Sequence, residues 1–238
     1  MLYKYTALIY LLSFNLYSQG IKTTQKEFSI KTGVSRVIFP GDANITSLPV
    51  INPQDYPVLV QSFSLKEDMI NSGSYIVTPT ILRLESNQQS NLTIRILNQK
   101  SMPNDRETLE WLCVKAIPPK DIIHDSKPSS APEVMLQLSL NTCNKIFYRP
   151  ILISENPGKY YSDIKWKKNG QALTVKNSGP FYINFSEVKI NNSKITDLEY
   201  IAPYSEKTVK TPSYRKTEIQ WKVITDNGGI SSTYNTSL

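Results

Sequence analysis

The chain has 238 residues, 39% of them apolar and 20% charged, with a net charge of +7. That length holds one large or two ordinary domains, and the apolar content builds a core and excludes wholesale disorder. Lys and Arg are scattered, without a basic run interleaved with aromatics, so the charge reads as a solvated surface and speaks against a nucleic-acid interface.

Residues 1–18 read MLYKYTALIYLLSFNLYS. Lys4 gives a basic start, residues 6–17 an apolar run, and Ser18 a small residue at its end, the pattern of a cleaved export signal. The run is short for a membrane span, and no later segment is long enough, so the mature chain is expected to be exported and soluble. Residues 19–27 are polar and expected to be mobile in isolation. Phe28, Ile30 and Val34 bracket a short strand-like piece. Val37-Ile38-Phe39 forms another, stopped by Pro40-Gly41-Asp42. Val58-Leu59-Val60 with Phe63, Tyr75-Ile76-Val77, Ile81-Leu82-Arg83-Leu84 and the alternating Leu92, Ile94 and Ile96 read as further strands. Residues 109–117 are apolar on both parities and end at Pro118-Pro119, which predicts a central strand. Residues 120–132 (KDIIHDSKPSSAP) form a loop.

The next stretch is the most regular in the chain. Val134, Leu136, Leu138 and Leu140 alternate with Met135, Gln137, Ser139 and Asn141, putting one aliphatic row on one face of a strand. Entered from a long loop, the strand fits a sheet edge, where the row could be offered to another chain. Periodicity alone favours the row facing its own core. Cys143 and Lys145 have the opposite parity, which predicts a bulge or twist between Leu140 and Cys143. Ile146-Phe147-Tyr148-Arg149-Pro150 closes a first set of about seven strands, suited to an immunoglobulin-like sandwich.

Residues 151–158 read as a connection. Beyond it come short strands at 164–167, 172–175, 181–185, 188–190, 208–209, 219–224 and 232–234, with a hairpin turn at Lys168-Asn169-Gly170-Gln171. Fourteen tyrosines, many β-branched residues and no long helical pattern make the whole chain all-β. The expected division is 1–18 signal peptide, 19–150 first domain and 151–238 second domain.

Export gives meaning to the two cysteines, Cys113 and Cys143: in an oxidising compartment they are expected to form one disulfide. A metal site is the alternative, but these two and the single His124 do not complete a tetrahedral zinc shell without carboxylates. Nothing points to catalysis or to a cofactor. His124-Asp125 lies in the long loop with no nucleophile elbow, phosphate loop or ligand cluster around it. Asp105-Arg106-Glu107 reads as an ion-pair run before it reads as a catalytic carboxylate pair. Asn-x-Ser/Thr sequons stand at Asn44, Asn91, Asn184, Asn191 and Asn235, as expected by chance in a chain rich in these residues.

Seven segments occur in a recognisable order: Arg36-Val37-Ile38-Phe39-Pro40; Thr78-Pro79 with Arg83-Leu84; Asp105-Arg106-Glu107; residues 112–120 (LCVKAIPPK); Lys145-Ile146-Phe147-Tyr148-Arg149-Pro150; Asn177-Ser178-Gly179-Pro180-Phe181-Tyr182; and Ile224-Thr225-Asp226-Asn227-Gly228-Gly229. Together they resemble the PapD-like periplasmic chaperones of the chaperone–usher pathway, over essentially the whole mature chain. The resemblance implies two immunoglobulin-like β-sandwich domains set in an L, with a cleft between them that binds pilus or surface-fibre subunits. The cysteine pair is similar to that of the branch with a long loop between the sixth and seventh strands, although residues 120–132 make only a moderately long loop. The extension at residues 21–31 also fits that branch, where such a segment helps grip the subunit.

Carried over residue by residue, the resemblance implies that Arg36 and Lys145 clamp the subunit's terminal carboxylate. It implies that Val134, Leu136, Leu138 and Leu140 form a donor row completing a subunit that lacks its last strand, and that Arg83, Glu107, Arg149 and Asp226 form a buried ionic network fixing the interdomain angle. The expected function is a periplasmic, non-enzymatic assembly chaperone that hands its subunit to an outer-membrane usher, with exposed donor strands inviting self-association of the free protein. Two other readings compete. A secreted tandem immunoglobulin-like adhesion or receptor module would carry a core disulfide with a paired tryptophan in each domain, whereas both cysteines lie in the first. A secreted β-sandwich hydrolase would need a triad or a metal cluster.

Overall fold

A computed structural model describes residues 22–118, 133–212 and 216–238. The signal reading of residues 1–18, the loop at 120–132 and His124-Asp125 lie outside the described residues.

Among the described residues, eleven strands precede Pro150. They are β1 (Lys22–Phe28), β2 (Lys31–Thr32), β3 (Arg36–Pro40), β4 (Ile45–Ile51), β5 (Val58–Lys66), β6 (Tyr75–Thr78), β7 (Ile81–Leu84), β8 (Gln89–Ile96), β9 (Thr108–Ile117), β10 (Glu133–Ser139) and β11 (Asn141–Arg149). One sheet runs β3-β11-β9-β5-β7 and faces another, β2-β4-β8-β6. Their inward residues, among them Phe39, Leu48, Val60, Leu84, Leu92, Ile94, Leu112 and Ile146, form one buried core. Strand β9 is third of five and apolar on both faces, as its sequence requires. Strand β4 has no counterpart in the sequence reading: Pro49 interrupts its pattern like a breaker. The strand tolerates it because Pro49 offers only its carbonyl, which accepts from Gly33 N at 3.0 Å.

Two expectations need correction here. Residues 22–27 are not a loose tail, since β1 pairs in parallel with β10 from Lys22↔Glu133 to Phe28↔Ser139. The parity change after Leu140 is not a bulge within one strand either. The chain changes partners there: β10 pairs with β1, whereas β11 pairs with β9 and in parallel with β3. Leu140 is the pivot, donating its N–H to Phe28 O (2.9 Å) and accepting from Ala116 N (3.3 Å).

Two short 3₁₀ turns, Ile151–Ile153 and Pro157–Tyr160, connect to the second half. There the strands are β12 (Lys165–Asn169), β13 (Ala172–Lys176), β14 (Ile183–Ile190), β15 (Ser193–Lys194), β16 (Tyr200–Ile201), β17 (Glu206–Lys210), β18 (Glu218–Val223) and β19 (Tyr234–Ser237). A β12-β13-β17 sheet packs against β15-β14-β18-β19, with β16 beside β14. The separate pieces expected at 181–185 and 188–190 are one strand, kinked where the register shifts between Phe185 and Glu187. Trp166, Leu173, Val175, Ile183, Val188, Ile219 and Trp221 fill a second core, distinct from the first.

Candidate carboxylate clamp beside an open strand

The parallel β3–β11 ladder makes Arg36 and Lys145 direct partners. Neighbouring strands lie about 4.8 Å apart, so two cationic side chains start side by side. The following pair, Val37 and Ile146, points into the first core, so Arg36 and Lys145 point away from it, toward the second domain. Arg36 donates from Nη1 to Ile224 O (3.2 Å), and its guanidinium lies 5.8 Å from the Phe147 ring centroid. Lys145 donates to Asn184 Oδ1 (2.9 Å). Both partners outside the ladder belong to the second domain, so the pair sits where the two sandwiches meet. It lines a recess of about 360 Å³ with Trp111, Ser186, Ile224 and Ile230.

The electrostatics of the pair are unbalanced. Among the described residues neither cation has a carboxylate within ion-pair distance, and Arg36 Nε is buried without a hydrogen-bond partner. Burial pulls the Arg36 guanidinium below its ordinary value. Burial, and then the adjacent Arg36 charge, bring the Lys145 ammonium down to about 8. Carboxylates act on the pair only from beyond ion-pair distance, Glu199 and Glu67 on Lys145 and Asp226 and Glu107 on Arg36. Two neighbouring, partly desolvated cations thus keep donors that a single carboxylate could accept from through charge-assisted bonds.

Strand β10 leads toward this recess. Three of its aliphatic row, Val134 (51%), Leu136 (46%) and Leu140 (40%), are exposed, Leu138 is half-buried, and none belongs to the first core. The opposite parity leans on the body of the domain: Ser139 Oγ donates to Ala116 O, and Met135 and Gln137 are half-buried. Among the described residues β1 is its one ladder partner, and the other edge of β10 pairs with no described strand. Residues at the base tie this ribbon down, with Thr142 Oγ1 donating to Ile30 O (3.0 Å) and Asn144 Nδ2 to Val34 O (2.6 Å). Cys113 and Cys143 are direct partners across β9 and β11 and form a disulfide just below it. That bridge lies within one sheet, unlike the sheet-to-sheet bridge of an antibody domain.

The residues expected to form an ionic network are only partly brought together. Arg149 donates from Nε to Glu107 Oε1 (2.8 Å), and from Nη1 and Nη2 to Asp226 Oδ2 (2.7 Å) and Oδ1 (2.9 Å). Glu107 also accepts from Tyr182 N (2.9 Å). Burial pushes the Glu107 carboxyl up against the pull of Arg149, and the two carboxylates hold the Arg149 guanidinium above its ordinary value. Arg83 is a correction: it is exposed and pairs with Glu85 (2.9 Å). It sits on β7, three ladder steps from β11, roughly 14 Å away and out of ion-pair reach.

Two family models match the chain. That for the pili and flagellar-assembly chaperone PapD N-terminal domain covers residues 29–154, and that for the pili assembly chaperone PapD C-terminal domain covers residues 159–235. This chain belongs to the PapD family of pilus-assembly chaperones. Curated relatives include chaperone AggD of Escherichia coli, 37% identical over 92% of this chain and 89% of its own length, and chaperone PsaB of Yersinia pestis, 36% identical over 93% and 89%. Among solved structures, the E. coli chaperone DraB matches with a TM-score of 0.78 at 37% identity, covering 91% of this chain and all of its own. The SafB chaperone of Salmonella enterica, solved in complex with the SafA pilin, matches with 0.81 at 38% identity, covering 92% and 100%. As a PapD-family chaperone the chain is an assembly factor and not an enzyme, which sets aside the adhesion-module and hydrolase readings.

One residue of the site left no mark in the sequence. Glu67, in the turn between β5 and β6, accepts from Tyr182 OH and Tyr200 OH (3.1 Å each), and its carbonyl accepts from Trp111 Nε1 (3.2 Å). No motif or period singles out a glutamate in a polar turn, and its partners lie 44 to 133 residues away. Asn184, read as a sequon, is buried at Lys145, where no glycan fits.

Proposed function

We propose that this PapD-family protein is an exported, periplasmic chaperone that caps a fibre subunit by lending it β10. In this reading residues 1–18 are removed on export, residues 19–150 form the donor domain and residues 151–238 complete the cleft. A subunit lacking its last strand lines up against the open edge of β10 and receives Val134, Leu136, Leu138 and Leu140 in its groove. Each buried aliphatic is worth ~1.5–3 kcal/mol, so the four contribute roughly 6–12 kcal/mol gross before association entropy takes its share. Arg36 and Lys145 hold the subunit's terminal carboxylate and thereby fix the register in which the row is delivered. Strand β1, parallel to β10, stiffens the lent ribbon. An outer-membrane usher then receives the complex, and the next subunit's extension displaces β10 by fitting the groove better, without ATP. The uncovered row and open edge also favour self-association of the free chaperone.

The observation that carries this reading is the pairing of Arg36 with Lys145, two cations with no ion-pair partner among the described residues, at the root of an exposed aliphatic row. The test uses a synthetic strand peptide with alternating aliphatic residues, once with a free C-terminal carboxylate and once amidated. The free acid is expected to bind more than tenfold tighter, and Arg36→Ala or Lys145→Ala each to cut that preference severalfold while circular dichroism stays native. Equal binding of acid and amide would overturn the clamp.

A further inference from the structure

The Lys145 ammonium stands between two rings, 4.4 Å from the Tyr200 centroid and 5.5 Å from that of Trp111. Both rings are hydrogen-bonded to one residue, Tyr200 through the Glu67 carboxylate and Trp111 through the Glu67 carbonyl. The other carboxylate oxygen holds Tyr182, whose ring packs on Phe147 at 5.5 Å, and Phe147 in turn lies under Arg36. Glu67 thus stands at the foot of both cations. Trp111, Phe147 and Glu67 belong to the first domain, Tyr182 and Tyr200 to the second, so the same residue bridges the cleft.

The turn that carries Glu67 is fixed from within. Asp68 Oδ1 accepts from Ile70 N (2.9 Å) and Asn71 N (3.0 Å). Buried Glu110 accepts from Lys66 Nζ (2.7 Å) and Ser74 N (2.6 Å) on its two sides. Gly73 lets the chain pass so closely that a Cβ there would lie 2.6 Å from Glu110 Oε2. A surface turn with no task would not need this many ties.

We infer that Glu67 is a positioning residue of the carboxylate clamp: it sets the two aromatic walls between which the Lys145 ammonium is held, and locks them across the domain boundary. The inference rests on the clamp reading. Cation–π contact leaves the ammonium's N–H donors free to reach an anion, whereas a direct ion pair would occupy them. Holding the lysine by aromatics that are themselves anchored keeps the site charged and open. The groups facing Lys145 are Arg36 from β3, Asn184 from β14, Glu199 and Tyr200 at β16, Trp111 from β9 and Glu67 from the turn.

The test follows the side-chain signals of Lys145 by NMR in the full chain with labelled lysine, assigned through Lys145→Arg. In Glu67→Gln the titration midpoint is expected to fall by about half a unit, because a negative charge facing the ammonium is lost. In Tyr200→Phe, which keeps the ring and cuts its tie, the ring-current displacement of the Lys145 methylenes is expected to shrink. Both variants should bind the free-acid peptide roughly three- to tenfold more weakly, the worth of one hydrogen bond, under conditions where circular dichroism shows them fully folded. Titrations and ring-current shifts that superpose on the parent in both variants would overturn the role of Glu67. If instead Lys145→Ala left the preference for the free acid intact, the clamp would fall while the Glu67 effect on the lysine could still stand.

Discussion

Arg149, the last residue of β11, grips Asp226 of the second domain through both terminal nitrogens while its Nε holds Glu107 of the first. One planar guanidinium therefore spans the domain junction with three directed bonds, a geometry that lysine does not reproduce. Glu107 adds a fourth tie by accepting from Tyr182 N. The node and the Glu67–tyrosine contacts together set how the two sandwiches meet, and hence where the Arg36–Lys145 pair lies relative to β10.

The two acidic partners of Arg149 should differ in weight. Glu107 is 3% exposed in its side chain and Asp226 39%. Glu107→Gln leaves a buried guanidinium under-compensated and is expected to cost about 3–5 kcal/mol. Asp226→Asn removes a partly solvated pair and is expected to cost about 1 kcal/mol. Urea unfolding read by tryptophan fluorescence checks the ranking, and equal costs would mean that burial does not control this node. Small-angle scattering of Asp226→Asn should show a wider spread of domain orientations.

The disulfide closes a loop of 30 residues that contains the entry to β10. On the chain-entropy model it stabilises the fold by about 3–4 kcal/mol. The paired substitution Cys113→Ser with Cys143→Ser should lower the melting temperature of the first domain and leave that of the second unchanged. Because the bridge sits at the base of β10, capture of the strand peptide should weaken more than the lost stability alone explains. Peptide binding unchanged at temperatures where the variant is fully folded would argue that the bridge serves stability only.

How much of this was legible in the sequence depended on whether the signal was local. The β10 row could be seen because period two is a local property, and so could β9, apolar on both parities. Which way the row faces was not local. It is decided by β1 and by the change of partner at Leu140, so periodicity left both orientations open. Arg36 and Lys145, 109 positions apart, became a pair only through a parallel ladder. The resemblance pointed to them, and that no described carboxylate lies within ion-pair distance needed coordinates. Arg83 shows the opposite failure: a motif match placed it in a network that strand order puts out of reach. Strand β4 was hidden by Pro49, and Glu67 acts entirely through long-range partners.

The exposed row permits a clean separation of folding from function. Leu136 is 46% exposed in the free chain, so Leu136→Glu should change stability by less than about 0.5 kcal/mol. In the subunit-bound state the same charge would enter an apolar groove. Co-expressed subunit should then be lost to proteolysis while the chaperone itself accumulates normally. A variant that misfolds would instead mean that Leu136 packs against its own domain in solution. Removing residues 22–28 should likewise spare the sandwich core, apart from Phe28, and weaken subunit capture by freeing β10 from its partner.

The clamp should carry a pH signature above neutrality. Lys145 titrates near 8 in the free protein, below its ordinary value of 10.5, because burial and Arg36 disfavour its charge. A group whose folded value is depressed binds fewer protons folded than unfolded between the two values. The free chaperone should therefore gain stability as pH rises from about 8 toward 10.5, where the unfolded lysine still holds its proton and the folded one has lost it. A bound carboxylate reverses the preference, raising the lysine and drawing in a proton. Binding of the free-acid peptide should consequently be strongest below pH 8, weaken progressively above it, and show proton uptake when calorimetry near pH 8.5 is repeated in buffers of different ionisation enthalpy. The amidated peptide should show neither effect. Arg36 stays charged throughout, so affinity should level off at high pH and not vanish, and Lys145→Ala should bind at that plateau from pH 7 upward. A parent protein whose acid-to-amide preference is flat from pH 7 to 10 would place the carboxylate away from Lys145.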